Sequence, residues 1–443
     1  MNSDSPLQLR LGLALDGSGF VPRAWLNSGI RQNLNDIAHI GEQAGAAARG
    51  LFDLVILSDG GGARLPSGDG QRLDPVMTAA ALASVREGIG FVAQVSPHHN
   101  APYTAARMLA SIDHISGGRG GWLLNHREAD YVAGRFGADL RADPATEAAR
   151  TAEFIAALEA LLDSWEDDAF IRDKESGIFF DRSKVHFVDF EGRYFRTKGP
   201  LDIARPIQGR LPLFIDGDDP ADGALIAAHA DVVLHAPRDI AGARAFRLAA
   251  RQAFAEAGHD ADTRRTLSRV SVLTGRDATE VAALRDAAAA IVDPHAVIAS
   301  IAPLLGEEPG QDLDRPIPPL APIAGDAGED RRALAERIAQ ARQAGHSLAR
   351  LASDLVAGET AGRVTLAGPA AEIAAEIEDW VRSGASDGFV LALPALPAAL
   401  EAFVTHLVPA LQRRGIYRTA RQGRTLREQL GLPRSASRFA ASA

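Results

Sequence analysis

The sequence predicts a parallel (β/α)8 barrel, an α/β fold of the TIM-barrel class, and three observations predict it. Eight short apolar runs recur along the chain. None shows the alternation of a sheet with one wet face, so each reads as a strand covered on both sides. Between them lie longer stretches with the 3.6-residue period of helices. Eight repeats favour a closed barrel over an open doubly wound sheet. The 443 residues suggest about three domains by length alone, yet one barrel with insertions reaches the same size.

Taken in order, residues 9–15 (LRLGLAL) make the first strand, followed by an Ala-rich helical stretch over 33–50. Residues 53–57 (DLVIL) make the second, 89–95 (IGFVAQV) the third, and 122–124 begin the fourth. The next four are 213–215, 231–234, 270–273 and 389–393. Phe154, Leu158, Leu161 and Leu162 fall on one helical stripe, as do Ile373, Ile377, Trp380 and Val381. Two segments interrupt the alternation, at about 163–209 and about 304–362. Neither carries enough apolar residues for a core of its own. One domain over 1–443 is therefore expected, with both insertions covering the active site. The tail from about 415 is basic and ends in small residues.

Composition excludes several chemistries. The chain has no Cys, which removes disulfides, Cys-zinc sites, iron–sulfur ligation and a thiol nucleophile. Its 47 basic and 57 acidic side chains give a net charge of −10, without the basic footprint of a nucleic-acid binder. No uninterrupted apolar run is long enough to span a membrane. The first fifteen residues do not read as a signal peptide, so a cytoplasmic location is expected.

The stretch over 107–122 (RMLASIDHISGGRGGW) resembles the flavin-dependent monooxygenases of the bacterial-luciferase-like superfamily. It is most similar to the subgroup of nitrilotriacetate and dibenzothiophene-sulfone monooxygenases. Residues 51–60, 163–210, 230–233 and 384–433 carry the same resemblance, which thus covers nearly the whole chain. It implies a homodimer or homotetramer. It also implies reduced FMN delivered by a separate flavin reductase, and the use of O2 to oxygenate a small organic substrate. The chain's glycine clusters lack the GxGxxG spacing of a nicotinamide site, which fits a two-component arrangement.

Barrel chemistry sits at the C-terminal ends of the strands. The resemblance puts cofactor contacts there at Asp59, Gln94, Ser96, Asn125 and the run Gly217, Asp218, Asp219 before Pro220. It leaves His126 as the candidate catalytic hydrogen-bond donor. Several positions depart from the family pattern. Leu123 and His126 replace an Asn and a Thr. Pro144 and Ala148 stand where a His and a Tyr contact the phosphate side, and neither side chain can donate a hydrogen bond. Asp218 and Asp219 replace two serines at the phosphate. Such carboxylates repel a phosphate at about 4 Å by roughly 1 kcal/mol per charge pair in water, and they can cap the loop's own amides.

Two further readings stay open. A flavin-free paralogue, acting as a non-catalytic subunit or small-molecule binding protein, would explain the altered contacts. A metal held by His98, His99, His126, His235, Asp59 and Asp216 would suit imidazole and carboxylate. No ligand spacing such as HExxH supports a metal, and none is expected.

Overall fold

Eight parallel strands close into a barrel. They are β1 (Arg10–Ala14), β2 (Leu54–Leu57), β3 (Gly90–Val95), β4 (Gly120–Leu124), β7 (Leu213–Asp216), β8 (Val232–His235), β9 (Arg265–Gly275) and β11 (Gly388–Leu391). Pairing of β8 with β9 and of β11 with β1 completes the ring. The structure is a computed structural model and describes residues 8–20, 24–26, 29, 31, 33–58, 72–126, 143–308, 310–322, 329–358 and 364–439. Each of the eight apolar runs read from the sequence is one of these strands.

Alternate residues of each strand face the lumen. Leu54, Ile56, Val92, Phe214, Val232, Leu234, Leu267 and Val390 fill it as one apolar cluster. The opposite faces pack against the helices, with Leu11, Leu13, Val55, Phe91, Ile215 and Phe389 buried in the main core. Many helices begin on an aspartate whose carboxylate accepts an amide of the first turn. Asp36, Asp74, Asp143, Asp239 and Asp277 all do so, the ordinary reason for Asp at an N-cap.

The C-terminal tail closes the foot of the barrel. Thr425 and Glu428 form a capping box on the short helix Leu426–Leu430. Leu426, Leu430 and Leu432 of this segment join the lumen cluster from below. Gly90 and Gly121 make room for it. A Cβ on Gly90 would lie 2.6 Å from Leu426 Cδ1, and one on Gly121 would lie 3.0 Å from Leu426 Cδ2. Arg10 and Arg265 donate their Nε to the Leu430 carbonyl at 2.7 and 2.9 Å.

The first insertion contradicts its expected place. The helix Pro144–Leu162 runs from the barrel mouth to its foot, so the chain enters the insertion at the wrong end for a lid. Asp163 meets Arg205 there at 3.0 Å. Gln208 donates to the Gly120 carbonyl, at the start of β4, at 2.8 Å. Its small hairpin, β5 (Asp189–Glu191) with β6 (Arg196–Lys198), lies along the outer helix. There the Glu153 carboxylate accepts the amides of Arg193, Tyr194 and Phe195.

The second insertion does lie over the mouth, and it is larger than expected. It starts directly after β9 with the helix Ala278–Ala290. An additional parallel strand, β10 (Val364–Pro369), pairs with the half of β9 that extends past the barrel rim. Contrary to the sequence expectation, this insertion has its own apolar cluster. Val297, Ile298, Ile301, Leu305, Ile338, Leu348, Leu351 and Leu355 are buried in it. Scattered single apolar residues on several short helices hid that core from a composition reading.

Candidate active site at the barrel mouth

The residues at the mouth follow from strand parity. Val92 faces the lumen, so Gln94 two residues on faces it too. Leu267 faces the lumen, so Arg269 and Ser271 continue the same stripe on β9. The amide side chain of Gln94 makes no hydrogen bond among the described residues, and neither does that of Asn125, just past β4.

Arg269 is a cation placed inside the barrel, and two carboxylates hold it. Its Nη2 lies 2.8 Å from Asp216 Oδ2 and also bonds Asp218 Oδ2. Charge-assisted bonds of this kind offset the desolvation of the guanidinium. Burial works against its charge, but the two aspartates more than restore it and leave its pKa above the ordinary arginine value. Its Nε is buried without a hydrogen-bond partner.

Asp218 is held by the protein through both of its carboxylate oxygens. Its Oδ1 accepts from His235 Nδ1 at 2.9 Å and from the Ala236 amide at 2.8 Å. Burial would raise its pKa, but the His235 hydrogen bond and the Arg269 charge outweigh it and hold it well below the usual carboxylate range. His235 itself faces the helix layer, stacked on Phe246 with centroids 3.9 Å apart. Asp219 caps the following turn by accepting the Ala221 amide at 2.8 Å.

The amides around this loop are spent as well. Gly217 N donates to Leu234 O at 2.8 Å, Asp218 N to Asp216 Oδ1 at 3.1 Å, and Asp222 N to Asp219 O at 3.1 Å. The Gly223 amide bonds the Pro220 carbonyl. Gly217 is tight against the protein rather than open to a ligand. A Cβ there would meet Phe246 Cζ at 2.6 Å and Val233 Cγ1 at 2.7 Å.

His126 is buried, and its Nε2 lies 2.8 Å from Asp222 Oδ1. Its carbonyl accepts from His98 Nε2 at 2.8 Å. His98 Nδ1 accepts from Arg150 at 3.0 Å. Arginine cannot accept, so the neutral His98 carries its proton on Nε2. Glu147 stands 3.2 Å from that nitrogen. Thus the helix whose Pro144 and Ala148 lack donors still contributes Glu147 and Arg150, which position His98. Ser96 is a turn residue, its hydroxyl accepting the His98 amide at 3.2 Å. Asp59 lies outside the described residues. Among the described residues no group of His, Asp and Glu is placed to hold a metal.

A cavity of about 290 Å³ opens under the second insertion, two residues beyond Arg269 along β9 at Ser271. Ser271, Leu273 and Pro394 form its barrel side, Thr365 and Ala367 come from β10, and Arg285, Asp286, Arg350 and Asp354 come from the covering helices. Sequence reading missed Arg269, Asp222 and these cavity residues. Arg269 had a visible signal, an arginine two residues from Leu267 on the same strand face, which no apolar lumen tolerates unpaired.

Residues 19–387 match the family described as luciferase-like monooxygenase. This chain belongs to that family. The chain is 33% identical over 444 residues to nitrilotriacetate monooxygenase component A of Aminobacter aminovorans, covering 96% of this chain and 97% of that one. It is 31% identical to N-acetyl-S-(2-succino)cysteine monooxygenase of Bacillus subtilis (strain 168), with 98% of each chain covered. Among solved structures it superposes on EDTA monooxygenase from Chelativorans sp. BNC1 with a TM-score of 0.78 and 27% identity, covering 96% of this chain and 99% of that one. No described helix of the chain is long and apolar enough to cross a membrane.

The cofactor implied by the resemblance has two chemically different ends, and the mouth treats them differently. The open amides of Gln94 and Asn125 suit the mixed donors and acceptors of a flavin ring. The loop after β7 does not suit a phosphate. Its amides at 217, 218, 221, 222 and 223 are occupied, and its carboxylates face any anion.

Proposed function

We propose that the chain is the oxygenating component of a two-component monooxygenase, taking reduced flavin from a separate reductase and oxygenating a small organic substrate with O2. The observation that carries this reading is the placement of Gln94, Asn125 and Arg269 at the mouth of a barrel whose residues 19–387 match the luciferase-like monooxygenase family. Bound reduced flavin would supply the activation of O2. The chain's own residues bind, orient and exclude water. His126 is the proposed hydrogen-bond donor to the oxygenated centre, a role that requires its Nδ1–H because Nε2 already donates to Asp222. Asp59 is proposed to orient the ring.

The substrate is proposed to lie in the cavity of about 290 Å³, which holds a small acid better than a polycyclic molecule. Arg285 on its wall makes no ion pair among the described residues and would take a carboxylate. Two relatives are named for nitrilotriacetate and N-acetyl-S-(2-succino)cysteine, both polycarboxylates, which supports the same class. Cytoplasmic location and a homodimer or homotetramer belong to the same reading.

The test is anaerobic titration with reduced flavin, followed by O2 consumption with a reductase and a panel of small carboxylates. Saturable binding and substrate-dependent uptake are expected. The occupied loop after β7 favours a second reading, a flavin-free subunit or binding protein. Absence of any flavin binding, reduced or oxidised, would decide for that alternative.

A further inference from the structure

The loop after β7 presents carboxylate acceptors where its own amides are already occupied. Its two partly open carboxylates belong to Asp216, 43% exposed, and Asp218, 23% exposed. Between them lies the Arg269 guanidinium, whose Nη1 makes no bond among the described residues. A carboxylate accepts hydrogen bonds and cannot donate them, whereas a guanidinium only donates. A chain of alcohols satisfies both, giving its O–H to the aspartates and its lone pairs to Arg269. A phosphate dianion is acceptor-only near neutral pH. It would find Arg269 already neutralised by two carboxylates, and it would face their repulsion.

We propose that this site prefers a flavin ending in a free polyol, riboflavin, over the same flavin ending in a phosphate. The proposal rests on the flavin reading above and names the form of the flavin that the site takes. It also assigns Asp216, Asp218 and Arg269 as the groups that read the polyol. Asp219 contributes by capping Ala221, which removes an amide that a phosphate would need. A single like-charge contact at about 4 Å in water corresponds to roughly 1 kcal/mol, a factor of about five. Partial burial of Asp218 strengthens it.

The experiment measures dissociation constants of riboflavin and FMN for the full chain by fluorescence quenching of the oxidised forms. Reduced forms are titrated anaerobically, and both sets are run at low and high ionic strength. Riboflavin is expected to bind at least five times more tightly than FMN, with the gap narrowing as salt screens the phosphate. The double variant D218S/D219S should shift the preference toward FMN, with D219S alone as the milder change should the double variant fail to fold. FMN binding as tightly as riboflavin, or more tightly, would overturn the inference while leaving the flavin reading in place. Absence of binding by either flavin in both redox states would overturn both.

Discussion

Arg269 carries more of the site than any residue legible from the sequence. The strand read over 270–273 stops one residue short of it, because an apolar-run criterion ends at a charge. In the barrel that charge is the link between β9 and the loop after β7. Replacing it with Met leaves Asp216 and Asp218 without their cation, at a cost of roughly 1–3 kcal/mol, less than for a fully buried pair because Asp216 is 43% exposed to screening solvent. Urea denaturation of R269M should show that loss as a lower midpoint. Asp218 adds a pH signature. Its folded pKa lies below the unfolded value of 3.8, so its stabilisation is complete above about pH 4 and is lost as pH falls toward the folded pKa. The native protein should therefore lose stability below pH 4 more steeply than D218N, measured by urea midpoints across the acid range. His126 is tied into the fold by its buried bond to Asp222. H126A should lose about 1–3 kcal/mol of stability as well as activity, so turnover must be compared per folded molecule beside a thermal melt.

At the scale of elements, the strands were legible because each is an apolar run with helices on its outer face. What the runs could not show is how the barrel is stoppered. The plug is a five-residue helix, Leu426–Leu430, too short for any periodicity. Its signature is instead the missing side chains of Gly90 and Gly121. G90A would drive a Cβ to within 2.6 Å of Leu426 Cδ1 and 3.1 Å of the Asp53 carbonyl. Backbone on one side and a buried leucine on the other leave little room to yield, so a loss of about 1–3 kcal/mol is expected. L426A opens the opposite defect, a cavity under the lumen, at about 2–5 kcal/mol. The double variant should be less destabilised than the sum of the two, because the new methyl fills part of the space that Leu426 vacates. Chemical denaturation of the three variants checks this. Strict additivity would mean that the plug does not seat on Gly90. The first insertion was misplaced for a related reason. Its aromatic and charged residues signal a packed surface, but only the direction of the helix Pro144–Leu162 tells which end of the barrel receives it.

At the scale of the whole molecule, the chain is a barrel with a cap that has its own core. The strands and their helices share the main apolar cluster, and the lumen has a second one. The covering helices are held by a separate third cluster that includes Ile298, Ile338, Leu348 and Leu351. Sequence alone gave the barrel order and the site's position at the strand ends, because both follow from element order. It did not give the division between barrel and cap, because that depends on which apolar residues meet. Segments with separate cores open at different free energies. The cap meets the barrel across a cavity of about 290 Å³ and through the pairing of β10 with β9. Amides in the helices Pro294–Ser300 and Leu348–Gly358 should therefore exchange through a sub-global opening. Amides of β2, β3 and β11 should exchange only on global unfolding. A ligand seated in the cavity touches both bodies, through Ser271 and Leu273 below and Arg350 and Ser353 above. It should slow exchange in the cap helices by the factor 1 + [L]/Kd if only the closed form binds. Native-state hydrogen exchange with and without a bound carboxylate measures this directly. Equal protection of cap and barrel in the free protein would mean that the two cores unfold as one.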